Sequence, residues 1–297
     1  MKKFAFAVLA ATFATCLSAA VVQAAPDAKL RAMLPAAIQQ SNVVNVGTDP
    51  HNPPYSFYDT DNTTMIGMEH DIADEMGKRL GVTFKWSTAE FASIITAVQA
   101  GRFDMGMSGF GDFLPREKVV DEVDYTMEGT GIIVADGNPH SVQKLSDACG
   151  LKAATVQGSV MLELLTKAAA ACPKDKPLDI SLFPTDDQSV LAVRSGRADL
   201  LMDTYGVAAY NLEHQPANAG GRKLELIKGK VYAAGYQAVL VSKSNPQLRD
   251  AIQATLQAMI ADGSYDAIFK KWDLANNELK TITVNDAARF TDYLKLD

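Results

Sequence analysis

The stretch SGFGDFLPREK, residues 108–118, combines two glycines with a single arginine and follows an apolar run. A guanidinium binds a carboxylate through two parallel hydrogen bonds, and backbone N–H groups freed by glycine add fixed partial positive charge. Gly109, Gly111 and Arg116 therefore indicate a site for a small anion at the end of a strand. A tight turn followed by a solvent-exposed charge is the alternative interpretation.

A related motif occurs 95 residues further along the chain. The segment AVQAGRFDMGMS ends at Ser108 and AVRSGRADLLMD ends at Asp203, so both read A-V-x-x-G-R-x-D before an apolar strand. Chance similarity is an alternative, since helix–glycine–strand joints are common in α/β folds. If the copies are equivalent, Ser108 and Asp203 lie at the carboxyl ends of strands, where open α/β sheets bind ligands. A cation-binding carboxylate would then face the anion-binding loop.

Apolar residues alternate between strand spacing and helix spacing along most of the chain. NVVNVGT and FDMGMSG have the character of strands, whereas EHDIADEMGKRL places Ile72, Met76 and Leu80 on one helical face. This alternation predicts α/β units in which a parallel sheet is covered by helices. The β-rich run VYAAGYQAVLVSK and the helices after it are expected to return to the first unit. We therefore predict lobe 1 from residues 25–130 and 234–297, and lobe 2 from the inserted residues 131–233.

Composition and motifs narrow the function classes. The chain has 297 residues, and its formal net charge of −7 argues against nucleic acid as the partner, because phosphate binding needs a basic face. The sequence contains no H-E-x-x-H, Walker or G-x-S-x-G motif, and its four histidines lack the spacing of metal ligands. We expect neither a metal nor a cofactor, and catalysis becomes less favoured.

The first residues have the layout of a secretory signal peptide. The basic start MKK precedes a long apolar run, and VQA before Ala25 has the small residues that a signal peptidase recognises. We predict that residues 1–24 are a cleaved signal peptide and that the protein is periplasmic; a membrane anchor is the alternative. Cys149 and Cys172 then remain, and an even pair in an exported chain favours a disulfide over two free thiols.

The segment IGMEHDIADEMGKRLGV resembles the signature of periplasmic solute-binding proteins for polar amino acids. The matching positions are a glycine, an apolar residue, an acid and then an acid–apolar–alanine step into a helix: Gly67, Met68, Glu69, Asp71, Ile72 and Ala73. The resemblance continues through EFASIITAVQAGRFDMGMSGFGDFLPREKVVDEVDYT, CGLKAATVQGS, GRADLLMD and QLRDAIQATLQAMIADGSYDAIFKKWDL. It covers most of residues 42–274. The spacing of Cys149 and Cys172 is also similar to that of a subgroup with a disulfide in the second lobe.

This resemblance implies a type II periplasmic-binding-protein fold, in which two α/β lobes joined by a two-strand hinge close on one amino acid. It further implies a monomer that delivers the amino acid to a membrane ABC permease. One alternative is a ligand-sensing partner of a membrane receptor, which would use the same binding chemistry. Another is a dehydratase-like enzyme on the same scaffold, for which Glu90 or His51 would be the general acid or base.

Matching motif positions imply a set of ligand-binding residues. Arg116 would bind the α-carboxylate, helped by backbone groups of Gly109 and Gly111, and Asp203 would accept the α-ammonium. The other predicted contacts are the Ser159 hydroxyl, which would also reach the carboxylate, the Phe91 ring, and Asn52, Asp49 and Ser108. A core position for Phe91, and helix capping for Ser159 and Asp203, are the alternatives.

Three positions depart from the family pattern. Phe113 stands where a threonine is usual, Gly111 stands where Ser or Thr is common, and Asn52 stands where many members have an aromatic residue. A hydroxyl helix cap is thereby lost, and Asp112 is the nearest candidate to replace it. These departures favour a modified or larger amino acid as the ligand.

Overall fold

The computed structural model describes residues 25–214, 220–290 and 295–296, so the predicted signal peptide lies outside the described residues. The described strands are β1 Val43–Thr48, β2 His51–Asn52, β3 Ser56–Tyr58, β4 Met65–Ile66, β5 Thr83–Thr88, β6 Met105–Gly111, β7 Val120–Ala135, β8 Lys152–Val156, β9 Asp179–Phe183, β10 Leu200–Thr204, β11 Leu224–Leu226 and β12 Tyr232–Ser242. The α-helices are α1 Ala28–Ala32, α2 Ala36–Ser41, α3 Met68–Leu80, α4 Phe91–Gln99, α5 Leu114–Glu117, α6 Val160–Ala171, α7 Asp186–Arg194, α8 Tyr205–Glu213, α9 Pro246–Asp262 and α10 Ser264–Lys271. None of these helices combines the length and apolar character needed to cross a bilayer.

The main sheet contains two blocks of parallel strands. Its order is β5-β1-β6-β12-β7-β10-β8-β9, with β11 paired to β7, while β2, β3 and β4 form a small separate sheet. β1 pairs in parallel with β5 and β6, and β8 pairs in parallel with β9 and β10. We call the block with β1 the first lobe and the block with β8 the second lobe. Each has the parallel strands that the alternating sequence pattern predicts.

Two long antiparallel strands, β7 and β12, connect the lobes. β7 pairs with β12 from Val120 onward, and its later residues pair with β10 and β11. β12 in turn pairs with β6 of the first lobe. The chain therefore passes into the second lobe along β7 and returns along β12, which gives the predicted two-lobed α/β architecture. The lobe boundaries after residues 130 and 233 stay a prediction.

Each lobe has an apolar core formed by helices packed on its sheet. In the first lobe, α3 buries Ile72, Met76 and Leu80, the residues that helical spacing places on one face, and it packs against α9 and α10. In the second lobe, Leu164 of α6 packs with Leu200 of β10. Full burial of one such side chain contributes roughly 1.5–3 kcal/mol. These cores hold the strand ends in place around the space between the lobes.

The two copies of the repeated motif have the same local structure. Gly101 after α4 and Gly196 after α7 both have left-handed backbone, with φ of +70° and +75°, a conformation that glycine adopts without strain. The aspartates that follow, Asp104 and Asp199, accept backbone N–H groups from β1 and β8 at 2.7 and 2.9 Å. The motif therefore fastens an equivalent helix–strand joint to its neighbouring parallel strand in each lobe.

A disulfide joins Cys149 to Cys172 in the second lobe, as predicted. We expect the double variant Cys149→Ala, Cys172→Ala to lower the free energy of unfolding by about 3 kcal/mol, because the bond restricts the unfolded chain. Denaturant titration of both proteins measures this difference. Dithiothreitol should destabilise the wild type and leave the double variant unchanged, and equal stability of the two oxidised proteins would contradict the prediction.

Candidate ligand-binding site

A cleft lies between the two lobes, beside the connecting strands β7 and β12. It contains about 800 Å³ of space, its opening to solvent included. All nine residues predicted to contact a ligand line it: Asp49, Asn52, Phe91, Ser108, Gly109, Gly111, Arg116, Ser159 and Asp203. Their convergence agrees with the expectation that ligands bind beyond the carboxyl ends of parallel strands. Their contacts with a ligand stay a prediction.

Arg116 projects from α5, and its side chain is held by groups from both lobes. It is 4% exposed. Nη1 donates to the carbonyl oxygen of Gly111 at 2.6 Å, and Nη2 donates to that of Gly158 at 3.3 Å. The guanidinium also lies 4.4 Å from the ring centre of Phe113, close enough for a cation–π contact. The departure from threonine at position 113 therefore places an aromatic face beside the arginine.

Helix α5 begins without a side-chain cap. Its first turn follows Phe113, which has no capping hydrogen bond. The suggestion that Asp112 replaces the lost hydroxyl cap was wrong, because its Oδ2 accepts the backbone N–H of Asp286 at 3.0 Å instead. Asp286, the hydrogen-bond partner of Asp112, belongs to the C-terminal part of the chain and is distant from it in sequence.

Gly109 and Gly111 differ in how strictly they require glycine. Gly109 has φ of +61°, and a Cβ atom there would lie 2.5 Å from Asn52 Nδ2, so any side chain would be strained and crowded. Its N–H donates to Glu69 Oε1 at 2.7 Å, so a ligand contact at Gly109 would have to involve its carbonyl group or Cα. At Gly111 a Cβ would meet no atom closer than 3.9 Å, which leaves room for the usual hydroxyl residue.

Asp203 ends β10 in the second lobe and is 6% exposed. Oδ1 accepts the N–H of Thr204 at 2.6 Å, whereas the buried Oδ2 has no hydrogen-bond partner among the described residues. Burial, followed by the nearby carboxyl of Asp186, raises the pKa of Asp203 well above its ordinary value. A buried carboxylate without a partner is unfavourable. An incoming cation would remove this cost.

Asp49 directly follows β1, whereas Ser108 lies in the middle of β6 and not at its carboxyl end as predicted, because the strand continues to Gly111 in its pairing with β12. The Ser108 hydroxyl accepts the N–H of Asp49 at 3.0 Å and is 1% exposed as a residue. The Asp49 carboxylate binds His51 Nδ1, and this hydrogen bond raises the pKa of His51 above its ordinary value. Asp49 thus faces the cleft with one oxygen already engaged.

Phe91 and Ser159 both line the cleft and also make the core or cap contacts considered as alternatives. Phe91 lines the cleft and also stacks on Phe110, with ring centres 4.4 Å apart. Ser159 lines the cleft and is also the N-cap of α6, accepting the N–H of Leu162 at 3.4 Å. Core or cap contacts therefore orient the two side chains toward the cleft.

Two further acids line the cleft that sequence reasoning did not select, Asp186 and Glu128. Asp186 begins α7, directly after a strand end, and that position was the signal that could have found it. Burial, with Asp187 beside it, raises the pKa of Asp186 to about 7, and its Oδ2 has no partner among the described residues. Glu128 lies on β7 and accepts a hydrogen bond from the Tyr55 hydroxyl at 2.6 Å.

The two residues named for an enzymatic alternative are not together. His51 lines the cleft, whereas Glu90 precedes α4, is exposed and is not among the residues that line the cleft. The described lining residues include four carboxylic acids, Asp49, Glu128, Asp186 and Asp203, and one permanent cation, Arg116.

A two-lobed fold with a polar cleft beside its connecting strands defines a solute-binding protein of the periplasmic type. The chain belongs to the bacterial extracellular solute-binding proteins, family 3, whose family model matches residues 44–275. The predicted family and the predicted type II fold are thereby confirmed, and the chain is a binding protein rather than an enzyme.

Similar amino-acid-binding proteins support the assignment to this family. The arginine-binding protein ArgT of Corynebacterium glutamicum is 29% identical over 265 residues, which cover 88% of this chain and 84% of that protein. The L-cystine-binding protein TcyJ of Escherichia coli K12 is 23% identical over 237 residues, which cover 79% and 84%. The structure of an ancestral arginine-binding protein bound to arginine superimposes with a TM-score of 0.71 at 29% identity, covering 78% of this chain and 98% of that one. Because these names refer to different amino acids, the ligand has to be argued from the cleft itself.

Proposed function

We propose that this protein binds one free amino acid between its lobes and delivers it to a membrane ABC permease from the periplasm. The observation that carries the proposal is the placement of Arg116 and Asp203, which are buried on different lobes and line the same cleft. A free amino acid is a zwitterion, and removing its charges from water is costly unless each is paired. The guanidinium and the carboxylate supply one partner for each charge.

Closure of the lobes follows from the same arrangement. The ligand carboxylate would bind to the first lobe through Arg116, and its ammonium would bind to the second lobe through Asp203. A ligand that contacts both lobes binds the closed form more strongly than the open form, so it shifts the equilibrium toward closure. The hydrogen bond from Arg116 to the Gly158 carbonyl shows that this arginine already reaches the second lobe.

The cleft favours an amino acid with a cationic side chain. One ammonium needs one carboxylate, whereas Asp49, Glu128, Asp186 and Asp203 all line the cleft. Asp186 has a buried oxygen without a partner in the described part of the chain, and a guanidinium or second ammonium would neutralise its charge. Arginine has the larger size that the departures at Gly111 and Asn52 favour, and two of the relatives above are named for it.

A thermal-shift screen of the mature protein against the common amino acids, ornithine and citrulline tests the binding proposal. A ligand at 100 times its Kd stabilises by roughly 2.7 kcal/mol, which corresponds to a rise in Tm of about 5–10 °C for a protein of this size. We expect the largest shift with arginine or another cationic amino acid. The absence of any shift would overturn the proposed function. Loss of uptake of the labelled ligand, after deletion of the coding sequence, tests the link to a permease.

Asp186→Asn should separate cationic from neutral ligands. We expect arginine affinity to fall roughly 10- to 100-fold near pH 8, because a charge-assisted hydrogen bond is lost, while glutamine affinity changes by less than about threefold. In the wild type, arginine affinity should rise as the pH increases toward 7, since the free carboxyl of Asp186 has a pKa of about 7 and the cation prefers its ionised form. Isothermal titration calorimetry between pH 5.5 and 8.5 measures both effects.

Asp179→Asn is the matched control, because Asp179 is an exposed acid of the same lobe, begins β9 and is not among the lining residues. It should leave the preference for arginine over glutamine within about twofold of the wild type. Equal losses for both ligands in Asp186→Asn would mean that Asp186 does not select the side chain.

A further inference from the structure

Arg116 contacts an acidic cluster, which we define as the buried Asp112, Glu122 and Asp124 with the half-buried Glu117 and Asp286. Glu122 has no exposed surface, and its Oε1 lies 3.5 Å from Arg116 Nη1. Its other oxygen accepts the N–H of Phe113 at 3.4 Å. The arginine proposed to bind the ligand therefore has a second anionic group beside it within the protein.

The C-terminal segment, residues 283–287, covers this cluster and keeps it out of water. The Asp286 N–H donates to Asp112, and the Ala287 N–H donates to Glu117 Oε1 at 2.9 Å. The hydroxyl of Thr283 donates to Asp124 Oδ2 at 2.5 Å. On β7, the Glu122 N–H donates to Asn285 Oδ1, and the Asn285 N–H donates to the Glu122 carbonyl oxygen. The cluster is therefore part of the folded core and not a solvated acidic surface.

The cluster contains more carboxyl groups than nearby cations. Two groups face Glu122: Arg116 from α5 and Asp112 from the end of β6. Asp124 lies next to Glu122 on β7. Asp286, from the C-terminal segment, lies near Asp112 and Asp124. Arg289 pairs with Asp286, its Nε lying 2.8 Å from Oδ2. Lys243 lies near Glu117, but it binds Asp121, which also binds Arg249. Glu122 and Asp124 are the most deeply buried of these carboxyls, and burial beside other carboxyls favours their protonated forms.

Burial raises the pKa of Glu122 well above its ordinary value, although Arg116 acts in the opposite direction. Burial, together with Asp112, raises the pKa of Asp124 to about 9. Asp121 behaves differently, since its cationic partners outweigh burial and lower its pKa. Glu122 and Asp124 can therefore gain or lose protons at pH values at which Asp121 remains ionised.

We propose that Glu122 is a positioning residue for Arg116, and that its proton state sets how strongly this arginine binds a ligand carboxylate. This inference rests on the proposed function. Ionised Glu122 draws the guanidinium toward the cluster and repels the ligand carboxylate, whereas protonated Glu122 leaves the positive charge to the ligand. Ligand binding adds a negative charge near Glu122 and so strengthens its hold on a proton. Affinity is then highest below the pKa that Glu122 has in the free protein, and it declines as the pH rises through that value.

The test compares L-arginine affinity of the wild type, Glu122→Gln and Asp121→Asn by calorimetry between pH 5.5 and 8.5. Glutamine copies the shape of protonated Glu122 and cannot ionise. Around the pH at which the ¹³C shift of the Glu122 carboxyl shows it to ionise, the affinity ratio of wild type to Glu122→Gln should fall as the pH rises, by at most tenfold per pH unit for one coupled proton. The pH range of the calorimetry is extended to include that midpoint. Titration of arginine itself cancels in this ratio. Asp121→Asn removes a neighbouring carboxylate of the same strand, and its ratio to wild type should stay within about twofold.

A constant ratio for Glu122→Gln, with arginine still bound, would overturn the inference and leave the proposed function intact. No binding of arginine by the wild type at any pH would overturn the proposed cationic ligand and this inference with it. A ligand-free measurement is decisive on its own: the ¹³C shift of the Glu122 carboxyl should titrate at a higher pH in Arg116→Met than in the wild type. An unchanged midpoint would contradict the coupling of the two residues.

Discussion

Replacing Asp203 by asparagine is expected to weaken amino-acid binding by roughly 30- to 5,000-fold and to make the ligand-free protein more stable. The first effect follows because the ligand ammonium would be buried without its charged partner, which costs about 2–5 kcal/mol. The second follows because Asp203 Oδ2 is buried without a partner among the described residues. Removing such an unsatisfied charged group should recover about 1–3 kcal/mol. Calorimetry and thermal unfolding measure the two effects separately.

The pH dependence gives the sign of the stability change. The folded protein raises the pKa of Asp203, so ionisation opposes folding at pH values above the ordinary value of an aspartic acid. The stabilisation by asparagine should therefore be present at pH 7 and disappear near pH 4. Asp199→Asn is the matched control, because Asp199 serves the helix–strand joint of the same lobe and is not a lining residue. Loss of binding in Asp199→Asn, or tight binding in Asp203→Asn, would show that the ammonium site is elsewhere.

Replacing Arg116 by methionine is expected to lower affinity by about 100-fold or more. Methionine keeps an unbranched apolar stem beside the rings of Phe110 and Phe113, but the planar donor group for the ligand carboxylate is lost. Arg116→Lys should also bind poorly, because an ammonium is a point charge that cannot make two parallel hydrogen bonds to one carboxylate. Calorimetry with the ligand found by the thermal-shift screen measures both variants.

Folding of Arg116→Met is expected to persist. Loss of the guanidinium removes the cation that opposes the effect of burial on Glu122, so the pKa of this carboxyl rises further and its neutral form is favoured. Circular dichroism checks the folded state independently of binding. Arg102→Met is the control, since Arg102 is an exposed arginine of the first lobe outside the cleft. If both variants bind equally well, the carboxylate is not held by Arg116.

Sequence patterns located the residues whose positions depend on local structure. Arg116 and Asp203 follow apolar strands, and the rule that ligands bind at strand ends is enough to bring them together. Asp186 and Glu128 were not predicted as site residues. Their burial depends on contact between the lobes, and the local hydrophobic periodicity of a sequence does not predict such contacts. Asp112 was misassigned for a similar reason: its partner, Asp286, is distant in sequence. The resemblance to a family conveyed the two-lobed closure that spacing alone does not show.

The C-terminal segment also affects how far the functional unit extends. The family model matches residues 44–275, yet Asn277 donates to Glu128 Oε1 at 2.8 Å and Phe290 packs edge-on against Tyr236. Glu128 and Tyr236 both line the cleft. A recombinant fragment cut at the end of the homologous domain would lose these supports and open the acidic cluster to water. Affinities and pH profiles measured on such a fragment would therefore differ from those of the protein, so a fragment for binding studies should include the C-terminal segment.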